Sequence, residues 1–402
     1  MYGLVLEGGG AKGSYQIGAY EAIFQCGLEV NAISGTSIGA INGAMIAQGD
    51  FPLCKSLWED ISYSKIIVAS DEDIQRIRQL KLNMDDLKHF GGKLKDVITD
   101  RGFDITPFKN MLNEYIHEDR LRNSKIDLGI VTVNLSDLKA TEIFVDEIPY
   151  GMVKDYLLAS AFLPVFKNEK IGGKHYIDGG VHDNLPYRML SNRGYKKLIL
   201  VRTHPGEETI IKDDTLEEII IITPSDSIGR SFTYEKDICS KNIKLGYHDG
   251  LRAIKGLMGN QYYFYPKGDK FYYDYLFNLS DEKIDRLIQF FNLHGSNRKR
   301  AIFEEIIPKI ASFMDLKKDS SYEIIVLALI ELIAVELEIE RFKVYVFEDI
   351  IHQINKNKTN DVYSNKERFN SILRKIESLN YLNKEEVLME VSSILFGNRF
   401  GR

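Results

Sequence analysis

Cysteine is scarce. Cys26, Cys54 and Cys239 are odd in number and far apart, with no C-x-x-C pair, which excludes a disulfide framework or a thiolate zinc site as the organising feature. Long apolar runs are missing too. The longest, 324–330, is followed by Glu331 and Glu336 and falls far short of the ~20 residues that a bilayer span needs. Nor is there excess positive charge. Lys plus Arg is 52 against 58 Asp plus Glu, a net −6, the wrong sign for a chain whose main work is gripping nucleic-acid phosphates. The opening MYGLVLEGGG has no basic segment and breaks at once into glycine, so a secretory signal is not expected. The expectation is a cytoplasmic chain in a reducing compartment with no nucleic-acid partner.

The last third is poor in glycine and proline. Only Gly295, Gly397 and Gly401 lie in 281–402, leaving 28 of the 31 glycines in the first 280 residues, and Pro308 is the one breaker. Tight turns and close backbone approaches therefore belong to the first two-thirds. What the last third does contain is helical periodicity: Leu287, Phe290, Phe291 and Leu293, then Ile302, Ile306, Ile307 and Ile310. The stretch 324–337 is apolar on most sides, as suits a buried central helix.

With 402 residues, 44% hydrophobic and 27% charged, the chain can build a core of normal size and has room for two domains. The first part alternates strand and helix: strands at 4–7, 30–34, 126–133, 141–145, 196–202 and 218–222, and helices at 14–26, 38–48, 155–160 and near 233–255. This pattern predicts a parallel-rich sheet covered on both faces. The fold class expected is α/β, a three-layer α/β/α domain over 1–258. An aromatic connector follows at 259–280, and an α-helical domain at 281–402. In the connector, 262–265 and 271–275 are aromatic arms around Pro266 and Gly268, which reads as a β-hairpin. That hairpin could pack on the protein or meet a membrane interface.

Three short segments carry chemistry. Gly8-Gly9-Gly10-Ala11-Lys12-Gly13 lies between the first strand and a helix. Successive glycines let backbone N–H groups converge beside a helix N-terminus, which suits a pyrophosphate or the oxyanion of an acyl-transfer intermediate. Gly35-Thr36-Ser37-Ile38-Gly39 is a G-x-S-x-G placed on a strand-to-helix turn. That is where a nucleophile elbow puts its serine. Asp178-Gly179-Gly180 follows a short strand-like stretch, and such a turn fixes a carboxylate while letting another backbone come close. Spacing alone does not bring Asp178 to Ser37.

Taken in order, EGGGAKG at 7–13, GTSIG at 35–39, SAFLPVF at 160–166 and DGG at 178–180 resemble the patatin-like phospholipase family over roughly residues 1–205. The resemblance implies lipid acyl-ester hydrolysis. Ser37 is then the nucleophile, Asp178 its base, and Gly8, Gly9 and Gly10 line the oxyanion hole through backbone amides. Lys12, Gly13, Gly35, Gly39, Gly179 and Gly180 support these motifs. No cofactor and no metal is implied. The partner is a phospholipid or other lipid ester, met by peripheral and reversible membrane contact. An ordinary Asp, with pKa about 3.9, is a poor base at neutral pH, so Asp178 is expected to be desolvated.

Rival readings stand beside each assignment. The glycine loop could instead bind a nucleotide, with Glu29 near the spacing of a ribose contact; a Walker-type loop is excluded because no Gly-Lys-Ser/Thr closes it. The chain could be a non-catalytic lipid-binding scaffold. Lys12 could steer a phosphate headgroup or be a solvated loop lysine. His175 and His182 flank Asp178 and suggest a triad. The stretch 60–103 could form a lid. The last third, with 19 basic and 20 acidic residues over 281–402, offers no electrostatic membrane grip.

Overall fold

Leu4, Val5 and Leu6 have no solvent exposure, and neither do Leu198–Val201. Strands buried on both faces read as continuous apolar runs rather than as alternations. In a computed structural model of the chain, these runs are two adjacent interior strands of a sheet. The structure describes residues 1–68, 70, 74, 102–167, 169–204, 211–293, 297–317, 319–357 and 384–397. It separates into two compact units, Met1–Lys255 and Gly256–Arg402.

The first unit is the α/β/α domain. Its strands are β1 (Tyr2–Leu6), β2 (Val30–Thr36), β3 (Asp127–Asn134), β4 (Lys139–Phe144), β5 (Tyr176–Asp178), β6 (Lys197–Val201) and β7 (Glu218–Ile222). They run in the order β4-β3-β2-β1-β6-β7, with β5 also on β3. All pairs from β3 to β7 along that path are parallel; β4 and β5 join β3 antiparallel. The helices used below are α1 (Gly13–Gln25), α2 (Ile38–Ala47), α3 (Phe51–Glu59), α4 (Thr106–Tyr115), α5 (Val153–Ser160) and α6 (Lys236–Lys255).

Register brings the chemistry together. Leu6 pairs with Gly35, so the loop leaving β1 and the turn leaving β2 emerge side by side. Thr36 pairs with Val131 on β3, and the next residue, Thr132, pairs with Asp178 on β5. Two strand pairings thus carry Asp178 to the end of the sheet where Ser37 sits. The same register overturns Glu29 as a ribose contact. Glu29 precedes β2, and its carbonyl accepts the N–H of Tyr2 at the start of β1 (2.8 Å). It lies at the opposite end of the sheet from the glycine loop.

The second unit packs α7 (Asp269–Phe277), α8 (Asp281–Phe290), α9 (Tyr322–Glu336), α10 (Phe347–Asn357) and α11 (Lys384–Phe396) around one core. The aromatic segment lies inside this unit and is not a hairpin. Strand β8 (Tyr263–Phe264) pairs in parallel with β9 (Val344–Tyr345), and the second aromatic arm is helix α7. Tyr272 and Leu276 are buried four apart, a helical spacing that a short aromatic run also offers to a strand. The deciding contacts are distant. Glu323 on α9 accepts the backbone N–H groups of Lys267 and Gly268 (3.0 and 3.3 Å). Asp269 in turn accepts the N–H of Glu323 (3.0 Å). Glu331, which interrupts the apolar run, is likewise buried. Its carboxylate accepts three successive N–H groups, from Asn260, Gln261 and Tyr262 (2.7–2.9 Å).

Among the described residues no helix is long and apolar enough to cross a membrane. Of the stretch 60–103 read as a lid, 69, 71–73 and 75–101 lie outside the described residues.

Candidate active site

Ser37 occupies the turn between β2 and α2 with φ 58° and ψ −128°. A non-glycine residue rarely adopts positive φ, and the conformation costs of order 1–3 kcal/mol. Two neighbours make the turn possible. A Cβ on Gly35 would lie 2.4 Å from the Gly39 carbonyl carbon, and a Cβ on Gly39 would lie 2.3 Å from the Leu6 carbonyl oxygen. The Ser37 N–H donates to Ser160 Oγ (2.9 Å) at the end of α5. Ser37 itself is 3% exposed.

Asp178 ends β5 and is fully buried. Its Oδ1 accepts the Gly180 N–H (2.8 Å), while Oδ2 meets no donor in full hydrogen-bond geometry among the described residues. Burial raises the carboxyl to about 7, against the opposing pulls of the Ser37 hydroxyl and the Gly180 amide. The structure therefore brings Ser37 and Asp178 together. Neither His175 nor His182 is among the groups acting on Asp178. The His182 ring is exposed and meets Glu142 Oε1 instead (3.2 Å).

The glycine loop crosses the same end of the sheet. Gly10 has φ 57°, and a Cβ there would lie 2.2 Å from the Ser231 carbonyl oxygen. The three glycine amides are not equivalent. The Gly8 N–H already donates to the Asn184 carbonyl (3.1 Å). No hydrogen bond among the described residues uses the Gly9 or Gly10 N–H. Lys12 is 6% exposed, so it is not a solvated loop lysine. Gly13 begins α1, and its carbonyl accepts from Asn42 Nδ2 (3.0 Å).

Ser37 and Gly10 open on an apolar cavity walled by α2, α3 and α4. Ile41 and Met45 follow Ser37 along α2, with Leu57 and Trp58 from α3 and Phe108 and Leu112 from α4. Asn42 lies in this wall, but its polar atoms are spent: Oδ1 accepts from Trp58 Nε1 (2.9 Å), and Nδ2 donates to Gln16 Oε1 (2.9 Å) as well as to Gly13. Tyr234 also lines the cavity. It is close enough to Asp178 for that charge to add to the burial that raises its phenol. Ser160 opens the SAFLPVF segment that the resemblance rests on, and Ala161, Leu163 and Phe166 of that segment line the cavity. Its contact with the Ser37 N–H, and the place of Tyr234, are set by tertiary structure and are not written in any one segment. Among the described residues no three His, Cys, Asp or Glu side chains converge to hold a metal ion.

The class is thereby defined: a three-layer α/β/α fold with a strained serine on a strand-to-helix turn, next to a buried carboxylate and facing an apolar cavity. Residues 4–191 match the family model described as patatin-like phospholipase. It is similar to patatin-like phospholipase domain-containing protein 7 of Rattus norvegicus, 27% identical over 206 residues that cover 51% of this chain and 14% of that protein. It is also similar to lysophospholipase NTE1 of Saccharomyces cerevisiae, 23% identical over 264 residues that cover 63% of this chain and 14% of that protein. The chain thus spans 14% of the length of these curated relatives. Among solved structures, VipD from Legionella pneumophila is similar at a TM-score of 0.40 and 15% identity, covering 98% of this chain and 88% of that one.

Proposed function

We propose that this protein is a lipid acyl hydrolase of the phospholipase A or lysophospholipase type, working through Ser37 and Asp178. The observation that carries the reading is a single juxtaposition. The strained Ser37 lies between a buried carboxyl raised to about 7 and an apolar cavity. The family domain and the lysophospholipase among the relatives support a lipid ester as substrate.

In this mechanism the ester's acyl chain lies in the cavity and its carbonyl carbon meets Ser37 Oγ. The Ser37 proton passes to Asp178 as the C–O bond forms. The carbonyl oxygen becomes an oxyanion held by backbone amides, those of Gly9 and Gly10 in particular, since the Gly8 amide is already bonded. Losing one such donor costs about 2.7–4 kcal/mol in comparable enzymes. The tetrahedral adduct collapses, and the alcohol leaves with the proton from Asp178. Water then attacks the acyl-enzyme, giving its proton to Asp178, and the free fatty acid departs as Ser37 recovers its own. Burial of Asp178 is what makes this work near neutrality: a base operates best when its pKa lies close to the ambient pH.

The test is labelling with a fluorophosphonate probe, followed by peptide mapping, beside fatty-acid release from phospholipid and lysophospholipid vesicles. One adduct on Ser37, absent in Ser37→Ala and slowed in Asp178→Ala, is the expected result. Undiminished fatty-acid release by Ser37→Ala would sink the reading. Lipid binding without release by the wild type would point to a scaffold, and thermal stabilisation by a nucleotide to the other rival.

A further inference from the structure

A second buried polar cluster lies beneath the glycine loop. Glu7 follows β1 and Thr203 lies just past β6; Glu7 is 4% exposed and Thr203 not at all. Leu6 and Val201 pair at the ends of these strands, which sets the two residues side by side. Glu7 Oε2 accepts the Thr203 N–H (2.6 Å) and Arg202 Nε–H (3.1 Å). Glu7 Oε1 lies 3.1 Å from His204 Nδ1. The Thr203 backbone is therefore tied to a carboxylate that is itself neutralised by ion pairing.

The Thr203 hydroxyl has three polar neighbours: the Gly8 carbonyl at 2.7 Å, His204 Nδ1 at 3.2 Å and Glu7 Oε2 at 3.4 Å. A hydroxyl has one proton to give. The Gly8 carbonyl is the nearest of the three and can only accept, so it receives that proton. Asn184 Nδ2 reaches the same carbonyl at a longer 3.4 Å. Gly8 is thus gripped on both sides, by Thr203 at its carbonyl and by the Asn184 carbonyl at its N–H (3.1 Å).

The peptide plane turns this grip into a direction. The Gly8 C=O and the Gly9 N–H belong to one rigid trans unit and point oppositely. Fixing the carbonyl toward Thr203 fixes the Gly9 N–H away from it. Between two glycines the chain itself does little to hold that plane, because neither flanking residue has a Cβ to restrict it, and of the two donors to its carbonyl Thr203 is the nearer. Ser37 lies close by, its Cβ 3.4 Å from where a Cβ on Gly8 would stand. We propose that Thr203 is a positioning residue for catalysis: its hydroxyl, held in place through Glu7, orients the Gly8–Gly9 peptide so that the Gly9 N–H serves as an oxyanion donor. This rests on the reading of Ser37 as the nucleophile.

A purely structural Thr203 would cost stability and leave the chemical step alone. The experiment therefore measures kcat, KM and Tm of the full chain on p-nitrophenyl butyrate, for the wild type, Ser37→Ala, Thr203→Val and Thr203→Ser. Thr203→Val keeps the shape and removes the hydroxyl; Thr203→Ser keeps the hydroxyl. The expected result is a kcat about 10-fold or more lower in Thr203→Val with KM unchanged, the signature of an interaction made in the transition state alone. Thr203→Ser should restore kcat to near the wild-type value. The proposal is overturned if Thr203→Val turns over at the wild-type rate, or if Thr203→Ser is as slow as Thr203→Val. Should Thr203→Val not fold, Thr203→Cys, a weak donor of similar volume, takes its place with the same two outcomes. Wild-type turnover that is absent or survives Ser37→Ala rejects the nucleophile reading, and this proposal with it. Turnover that depends on Ser37 but ignores Thr203 rejects the positioning role alone.

Discussion

The backbone N–H of Ser37 donates to the side-chain oxygen of Ser160, 2.9 Å away and 123 positions along the chain. Ser160 has no solvent exposure, and the residue it holds has φ 58°. A strained backbone persists only where its surroundings over-determine it; here one of the determinants is a single hydroxyl. Ser160→Ala leaves a buried N–H without a partner, which costs about 1–3 kcal/mol. The expected outcome is a lower Tm together with slower fluorophosphonate labelling of Ser37, the two falling together because the same bond sets both. Labelling at the wild-type rate in a destabilised protein would show that Ser160 supports the fold without supporting the turn.

The Asp178 carboxyl, raised by burial to about 7, gives two pH dependences of definite sign. In its proposed role as base it works only when ionised, so kcat/KM for a neutral ester should rise with pH through an inflection near 7 and be lost below it. For stability the direction is reversed. A carboxyl whose folded pKa lies above its unfolded value favours the folded state fully below the unfolded pKa, near 3.8. It loses that contribution as pH climbs through about 7. Asp178→Asn removes the buried charge. It should abolish turnover while raising Tm relative to the wild type, more at pH 8 than at pH 5. A constant Tm difference across that range would mean that the wild-type carboxyl titrates with an ordinary pKa.

Glu7 shows the opposite shift. Burial pushes its carboxyl up, but the hydrogen bonds and charges of His204 and Arg202 outweigh burial and hold it at about 2. A lowered folded pKa contributes stability that is complete above the unfolded value of 4.5 and disappears as pH falls toward 2. Glu7→Gln removes this term and breaks a buried ion pair, which in comparable sites costs about 3–5 kcal/mol. Urea unfolding at pH 7 should show that loss, and the gap to the wild type should narrow between pH 4.5 and pH 2. A gap independent of pH would mean that the ion pairs contribute nothing through Glu7.

Much of this was legible because it is local. The apolar runs of β1 and β6, the glycine turns after β1 and β2 and the helices that follow are read from neighbouring residues, and the strand read at 30–34 differs from β2 (Val30–Thr36) by two residues. Ser37 is legible for the same reason, since its turn needs Gly35 and Gly39 close at hand. Asp178 is only half legible: its glycines mark a turn, but its place beside Ser37 follows from the pairings of Thr36 with Val131 and Thr132 with Asp178. Register of that kind is not written in any one segment. Thr203 is an ordinary hydroxyl residue just past a strand, and Ser160, though it opens the SAFLPVF segment, shows its contact with the Ser37 N–H only in the tertiary structure. The aromatic segment failed for the converse reason. Its local pattern fits strand and helix alike, and Glu323 on a distant helix decides between them.

The cavity makes a prediction about which lipids are cleaved. Ser37 caps α2, and Ile38, Ile41 and Met45 line the cavity along that helix. At 1.5 Å per residue, Met45 stands ~12 Å from Ser37 along the helix axis. A short acyl chain bound at Ser37 ends before reaching it, whereas a long one must run past. Met45→Trp should therefore lower kcat/KM for p-nitrophenyl palmitate at least 10-fold while leaving p-nitrophenyl butyrate within about 2-fold, since a clash felt only by the far end of the chain leaves the reacting carbonyl in place. Overpacking a well-filled core costs about 1–3 kcal/mol, but at Met45 the added ring can enter the cavity itself, so Tm should fall little. Ile41→Trp, half as far from Ser37, should slow both esters. If Met45→Trp slowed both equally, or neither, the acyl chain would have to leave Ser37 by another route.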